Sequence, residues 1–448
     1  MHVLSPILVF VLLVASFPVL ADGPPEVWSS DRVGAGLSTV AVGAGAVFTM
    51  GSRHGVEHIL ALDEATGDEL WATCPEPVQE YIATSVLDAI ARLDKNGDNE
   101  VNEAEALPRF KHLMQPTGDN NRLLTREELR SFLGGFRHPA GDGPRAAPVC
   151  AGDFVYALGA NGDLSCLDAT TGKTKWHKNL VRDFAGALPA WGYAESPLVT
   201  EDLVVVTPGG KKGALLALDK LTGESKWRSQ KLLDDAHYSS AVLADVGGKR
   251  QVIQVVDGAV VGVSLQTGEL LWRYSRPANS IANHGPLLVS GDLLLASSGY
   301  GKGFGLLRIP QGAVGGRKEI AGGYFQDQIE SDRGGVVKVD DYIYAAADLG
   351  LACMNFTTGK VMWQCLGVGK GSICAVDGTL IVLGENHEVL FAVANPFRYV
   401  ERGRFRLADR PGEGRPLWSR PVAANGRLYV RDRQFLTSYD VQPVLAEP

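Results

Sequence analysis

The amino-acid sequence predicts an all-β chain folded as an eight-bladed β-propeller, with one small α-helical insertion. Three observations predict it: a turn-and-tryptophan pattern that recurs at a near-constant interval, short apolar runs separated by turn residues, and one segment where both features stop. The composition agrees with a large, turn-rich globular protein. Of 448 residues, 53 are Gly and 45% are hydrophobic, while only 21% are charged and the formal net charge is −8. Disorder and collagen-like structure are excluded by that balance. An acidic chain with no basic run lacks the electrostatic footprint of nucleic-acid binding.

At the N-terminus, Val3 to Leu20 is almost wholly apolar and ends at Val19-Leu20-Ala21 before Asp22. This reads as a secretory signal peptide over residues 1–21, with an uncleaved anchor as the alternative, since His2 replaces the usual Lys or Arg. No later stretch is long and apolar enough to span a bilayer, and no Cys follows Ala21 to carry a lipid. The expected location is outside the cytoplasm, periplasmic or extracellular.

The repeat is apolar-Asp-x-x-Thr-Gly-x-x-x-Trp. It runs from Leu62-Asp63 to Trp71, from Leu167-Asp168 to Trp176 and from Leu218-Asp219 to Trp227, then in shorter form at Thr267-Gly268 with Trp272 and Thr358-Gly359 with Trp363. The Trp positions imply a period of about 45 to 50 residues. Runs such as Leu203 to Val206 and Ala214 to Leu218 have strand length, and the Thr-Gly step suits a tight turn because Gly accepts positive φ. Each unit therefore predicts a four-stranded antiparallel sheet whose Trp packs on the next, and radial stacking of such sheets makes a propeller. The long interval before Trp363 leaves room for one unit without the signature, with strands at Leu294 to Ala296 and Gly305 to Arg308. Two degenerate units follow, Gly378 to Ala392 and Arg427 to Val441. The sum is eight blades, or seven if the terminal segments share one sheet.

The first interval exceeds the period by about 55 residues, and the excess is the predicted insertion, residues 76–138, between propeller segments 22–75 and 139–448. Glu80 to Leu93 carries Ile82, Val86, Ile90 and Leu93 at helical spacing. Asp94 to Glu105 then places oxygen side chains at positions 1, 3, 5, 9 and 12 of a twelve-residue frame, the EF-hand pattern for calcium. The expected ligands are Asp94, Asn96, Asp98, the Glu100 carbonyl, Asn102 and Glu105. Val101 at position 8 is expected to contact a paired loop, and Asn99 at position 6 to tolerate a left-handed backbone where Gly is usual. Thr117 to Glu128 reads as a degenerate partner loop with Asp119, Asn121 and Glu128 in matching places but Thr at its start.

The Thr-Gly-x-x-x-Trp units resemble the tryptophan-docking repeats of the pyrroloquinoline quinone (PQQ) enzymes and of the propellers that share their fold without the cofactor. Trp191-Gly192-Tyr193-Ala194-Glu195-Ser196-Pro197, His237-Tyr238-Ser239-Ser240 and Ser297 to Gly301 look like the group similar to the propeller component of outer-membrane protein assembly. The resemblance implies the fold over nearly the whole mature chain. It does not imply activity, because the repeat residues are packing residues. The quinone-dependent members typically carry two adjacent Cys at the cofactor face, and this chain has none, so bound PQQ is not expected.

Six Cys are present, but Cys166 and Cys353, like Cys150 and Cys374, occupy equivalent places in different units and are expected to be small packing residues before disulfide partners. No His spacing suits zinc. The segments leading into each innermost strand are expected to ring the channel mouth, and the candidates there are Arg145, Trp191, Tyr193, Glu195, His237, Tyr238, Asn283, His284, Asp332, Arg333 and Lys370, able to take a small polar ligand or a protein partner. The expected function is that of an exported calcium-binding propeller acting in recognition or scaffolding without catalysis. The alternatives are a PQQ-dependent alcohol or sugar oxidoreductase and an outer-membrane assembly factor.

Overall fold

The computed structural model describes residues 23–108, 123–139, 141–311, 322–327, 329, 335–347, 350–367, 370–410 and 417–445. Eight four-stranded antiparallel sheets form the eight predicted blades. Blade 1 begins with Ala41–Gly43 and ends with Glu69–Thr73, and blades 2, 3 and 4 begin with Val149–Ala151, Leu198–Val199 and Val242–Val246. Blades 5, 6 and 7 begin with Leu287–Ser290, Val336–Val339 and Gly371–Val376. Blade 8 joins Val422–Ala424, Arg427–Asp432 and Phe435–Asp440 to the N-terminal strand Glu26–Ser30. The terminal segments thus share a sheet, yet the count stays eight, because blade 1 is complete within its own segment. First strands of neighbouring blades approach each other, as between blades 1 and 2 and between blades 6 and 7, so these strands line the central channel.

The repeat residues act as the pattern predicts. Asp63 Oδ1 accepts from the amides of Ala65 and Thr66 at 2.9 Å, and Asp168 Oδ1 accepts from Thr170 and Thr171 at 3.1 and 2.8 Å. The Thr66 amide above all holds the Asp63 carboxyl below the ordinary carboxylate range, and the Thr171 hydroxyl, donating at 2.8 Å, does so for Asp168 with these amides beside it. The turn presents its Gly to the preceding blade. At Gly172, with φ +69°, an added Cβ would lie 2.5 Å from the Trp71 ring, and Trp71 Nε1 donates to Ala169 O at 3.0 Å. Trp176 repeats this with Gly223 and Lys220 O, and Trp227 with Gly268 and Leu265 O. Gly172→Ala combines left-handed strain with overpacking against a buried indole and is expected to cost about 2–4 kcal/mol, read as a fall in the urea midpoint at unchanged slope.

Several joints depart from the pattern. Tyr324 in blade 5 replaces Trp, lying on Gly359 and donating its hydroxyl to Phe356 O at 2.8 Å. Trp272 meets no Thr-Gly turn in blade 5. It lies over Gly262 of its own sheet, fully buried, with Nε1 donating to Gln251 Oε1 at 2.8 Å. Trp28, outside the repeat, closes the ring from blade 8 to blade 1 by packing on Gly67 and donating to Glu64 O at 3.1 Å.

Between blades 1 and 2 the described residues form two helices, α1 (Glu76–Leu93) and α2 (Arg126–Leu133). The first starts four residues before the periodic pattern, because Pro77 and Glu76 both suit a first helical turn. It buries Val78, Ile82, Val86, Ile90 and Leu93 against Val101, Leu124 and Leu129, with Val56 of blade 1 in the same cluster. Thr125 caps α2 in a reciprocal box with Glu128. The C-terminal end of α2 docks on the blade 1 hairpin, where a Cβ on Gly134 would meet Val56 and one on Gly135 would meet Gly55 O. All six thiols are free. Cys166 faces Tyr156 and Cys353 faces Tyr344 across equivalent strand pairs, and burial pushes both thiols up to about 11. Among the described residues, no helix is long and apolar enough to cross a membrane.

Candidate functional site

The mouth of the channel holds a cavity of about 860 Å³, within the range of small-molecule sites. Where a segment leading into an innermost strand is extended, its side chains alternate, as Ala194 and Ser196 or Tyr238 and Ser240 do in reaching the cavity. Arg145, Trp191, Tyr238 and His284 line the cavity, as do Ala194 with Ser196 and Ser240 at alternate positions; Trp191 stands before the Gly192 turn, outside that alternation. Trp191 and Tyr238 meet edge to face at 5.3 Å, and His284 and Tyr300 lie 6.2 Å apart. Burial raises the Tyr238 phenol above its ordinary value, while its oxygen accepts from Trp191 N at 3.4 Å.

The opposite parity turns between blades. Tyr193 is fully buried and donates to Pro208 O at 2.8 Å. Glu195 accepts from the amide and hydroxyl of Thr207 and from Gln254 Nε2. Its burial pushes the carboxyl up to about 7. His237 and Asn283 contact each other at 2.7 Å behind the wall, and burial holds the imidazole below its ordinary value. Tyr193, Glu195, His237 and Asn283 are therefore wall residues and not among those lining the cavity. Lys370 stands at the start of blade 7, away from the lining, with its carbonyl accepting from Glu385 N at 2.9 Å. Asp332 and Arg333 lie outside the described residues.

Lining residues outside the predicted set include Thr39, Tyr300, Lys338, Trp418 and Arg420. Thr39 and Arg420 are joined, Thr39 Oγ1 donating to Arg420 O at 2.5 Å. Alternation would have found Trp418 with Arg420, but their blade lacks the repeat that sets the frame.

The insertion reaches this cavity. The segment after α2 stacks Phe136 on His138 at 6.3 Å, and His138 meets the edge of Trp191 at 6.1 Å. Arg145 lies 4.7 Å above the Phe136 ring and donates to Gly143 O at 2.6 Å and Gly141 O at 2.7 Å. Burial lowers its affinity for the proton from the ordinary arginine value.

At the far side of the insertion, the loop from Asp94 to Glu105 folds its side chains onto its own amides. Asp94 accepts from Gly97 N at 2.7 Å and Asn99 N at 2.8 Å; Asn96 accepts from Asp98 N, and Asp98 from Glu100 N. Asn102 Oδ1 accepts from Ala104 N, and Glu105 accepts from Lys95 N at 2.9 Å and Asn102 N at 3.1 Å, drawing the loop ends together. Asn99 adopts φ +62°, the left-handed backbone expected of it. Leu124 N donates to Val101 O at 2.8 Å, so position 8 of one frame is bonded to position 8 of the other. The donor set is all hard oxygen, as calcium requires. Among the described residues no group of three or more His, Cys, Asp or Glu side chains is set to hold a metal ion. In the second frame Asp119 and Asn121 lie outside the described residues, and Glu128 is engaged by Thr125, accepting from its amide at 2.7 Å and its hydroxyl at 2.9 Å.

A family model described as outer membrane protein assembly factor BamB matches residues 88–365. BamB from Burkholderia pseudomallei is 25% identical over 262 residues, 55% of this chain and 61% of that protein. The chain thus spans about three fifths of that relative's length. Among solved structures, BamB from Moraxella catarrhalis superposes with a TM-score of 0.56 at 13% identity, over 93% of this chain and all of the other. The quinohemoprotein alcohol dehydrogenase from Comamonas testosteroni gives 0.60 at 13% identity, over 95% and 78%. At these identities the structures share the fold.

Proposed function

The chain belongs to the family of the outer membrane protein assembly factor BamB, and from that premise we propose an exported calcium-binding propeller that acts in recognition or scaffolding, without catalysis. The observation that carries the reading is the delivery of Arg145 to the cavity wall by the segment leaving α2, which makes the insertion and the channel mouth one functional unit. Calcium would be held by Asp94, Asn96, Asp98, the Glu100 carbonyl, Asn102 and Glu105. Its contribution is order. An acidic loop repels itself when empty, and a bound divalent ion cancels that repulsion. The paired backbone between Val101 and Leu124, with Leu129 below it, passes that order to α2.

Calorimetric titration of the whole chain with calcium is expected to give one site, and Asp94→Ala no heat. Equal heats from both proteins would refute the assignment. The family name supports one narrower reading, in which the partner is a protein of outer-membrane assembly. It predicts co-purification of a β-barrel assembly component with the tagged chain from detergent-solubilised envelopes, and its absence there would exclude that partner.

A further inference from the structure

The insertion is seated on blades 1 and 2 over a pair of carboxyls. Glu57 stands just after the blade 1 hairpin turn on which α2 docks, and it faces blade 2, where a Cβ on Gly159 would lie 2.5 Å from Glu57 Oε2. That oxygen accepts from Ala160 N at 3.1 Å, whereas the enclosed Oε1 has no hydrogen-bond partner among the described residues. The second carboxyl is Asp163 of blade 2. One of its oxygens accepts from His177 Nε2 at 3.1 Å, Asn179 Nδ2 at 2.8 Å and the Arg182 guanidinium at 3.1 Å.

The pair touches the insertion from both sides. Arg182 lies 3.9 Å from the centre of the Tyr81 ring on α1, so the group that holds Asp163 also holds the helix. Gly134 and Gly135 pack on Val56 and on Gly55 O, the residues next to Glu57. Phe136 follows, and its amide favours the charged form of Glu57 from short of hydrogen-bond geometry. Other charges surround the seam. Glu57 acts on Cys74 at the start of the insertion and on Arg145 at its end, where Asp142 acts as well; Arg130 of α2 acts on Cys74 and on His58, which faces the opposite side of its strand from Glu57.

Burial favours the neutral form of Glu57 and Asp163 adds to it, against the weaker pull of the Ala160 amide, Arg145 and the Phe136 amide. Loss of the proton with the seam closed leaves a charge out of water beside a second carboxyl, with one oxygen unpartnered. Lifting the segment Gly134 to His138 admits water to it. We infer that Glu57 is a proton latch for the insertion, holding the Gly134 to His138 segment on blades 1 and 2 while it carries its proton and favouring release of that segment when it ionises. The sign follows from where the proton binds more tightly. A carboxyl raised in the closed state favours closure fully below about pH 4.5, and that advantage is lost as the pH rises to about 7. Release carries His138 away from Trp191, and so alters one wall of the channel mouth.

Hydrogen exchange of the whole chain, read by mass spectrometry with calcium held constant and rates corrected for the pH dependence of free amides, tests the latch. Between pH 5.5 and 8 the protection of peptides covering 134–138 is expected to fall by at least about tenfold in the wild type and to stay level in Glu57→Gln, which retains His138 and Glu195. The fall is expected to be insensitive to low urea, as local opening exposes little surface. Asp163→Asn removes the neighbouring charge and is expected to move the fall to lower pH. A wild-type protection that does not respond to pH, an equal fall in Glu57→Gln, a fall that Asp163→Asn leaves in place, or one that steepens with urea as global unfolding does would each overturn the latch.

Discussion

Trp28→Ala is expected to lower the stability of the chain by about 3–5 kcal/mol, the range for removing a large buried aromatic. Trp28 is 7% exposed, packs on Gly67, lies 6.0 Å from the Tyr429 ring and satisfies Glu64 O. Its strand Glu26–Ser30 is paired with Phe435–Asp440, the last strand of the fold. The substitution therefore empties the joint between the last blade and the first, and it does so where the two chain ends are tied. Arg431 shares that seam, donating to Thr49 Oγ1 at 3.0 Å and Gly34 O at 2.8 Å, and its guanidinium would be left to hold it. Urea unfolding measures the loss. Trp227→Ala, at a half-buried indole between two internal blades, serves as the comparison and is expected to cost less. A change below about 1 kcal/mol for Trp28→Ala would mean that the ring is not closed through this residue.

Glu57→Gln is expected to stabilise the chain at pH 8 by about 2.5 kcal/mol more than at pH 5. Glu57 sits between blades 1 and 2 with its carboxyl enclosed. Oε2 accepts from Ala160 N at 3.1 Å, and Oε1 finds no hydrogen-bond partner among the described residues. Burial, reinforced by Asp163, pushes this carboxyl up from 4.5 to about 7. A raised carboxyl favours the protonated folded state. Its stabilising contribution is complete below about pH 4.5, declines as the pH rises, and is gone above about 7, when both folded and unfolded forms are ionised. Gln stays neutral throughout and retains an acceptor for Ala160 N. Glu195, raised to about 7 by the same cause, stays in both proteins and cancels from the comparison. The check is the difference in unfolding free energy between variant and wild type at the two pH values. An identical difference at both would show that Glu57 is ionised as easily in the folded chain as in water.

The ring of blades was legible because its joints are written locally. A turn that needs positive φ at Gly67, Gly172, Gly223 and Gly268, each beside an indole, repeats at an interval that no sandwich reproduces. The joints that use other chemistry left no such mark. Tyr324 does the work of Trp without the spacing, and Trp28 acts from a strand more than 400 residues from the one it pairs with. At the channel mouth, the right segments were found but two parities were merged. Tyr193 and Glu195 point between blades, while Ala194 and Ser196 face the cavity. Period-2 alternation was present in Tyr193 to Ser196, but nothing local says which parity is the inner one until the blade is placed on the axis. Arg420 and Trp418 were hidden further, since blade 8 has no Thr-Gly step from which to count. In the insertion the loop frame gave Asn99 its left-handed backbone in advance, whereas the early start of α1 depended on Pro77, which reads equally as a breaker.

The account depends on one chain holding calcium in the Asp94 to Glu105 loop and no redox cofactor in its channel. Native mass spectrometry of the protein purified in calcium-containing buffer tests both at once. One calcium ion per chain, lost in Asp94→Ala, with no bound quinone, is the predicted result. A chain free of calcium, or one carrying stoichiometric quinone, would contradict it.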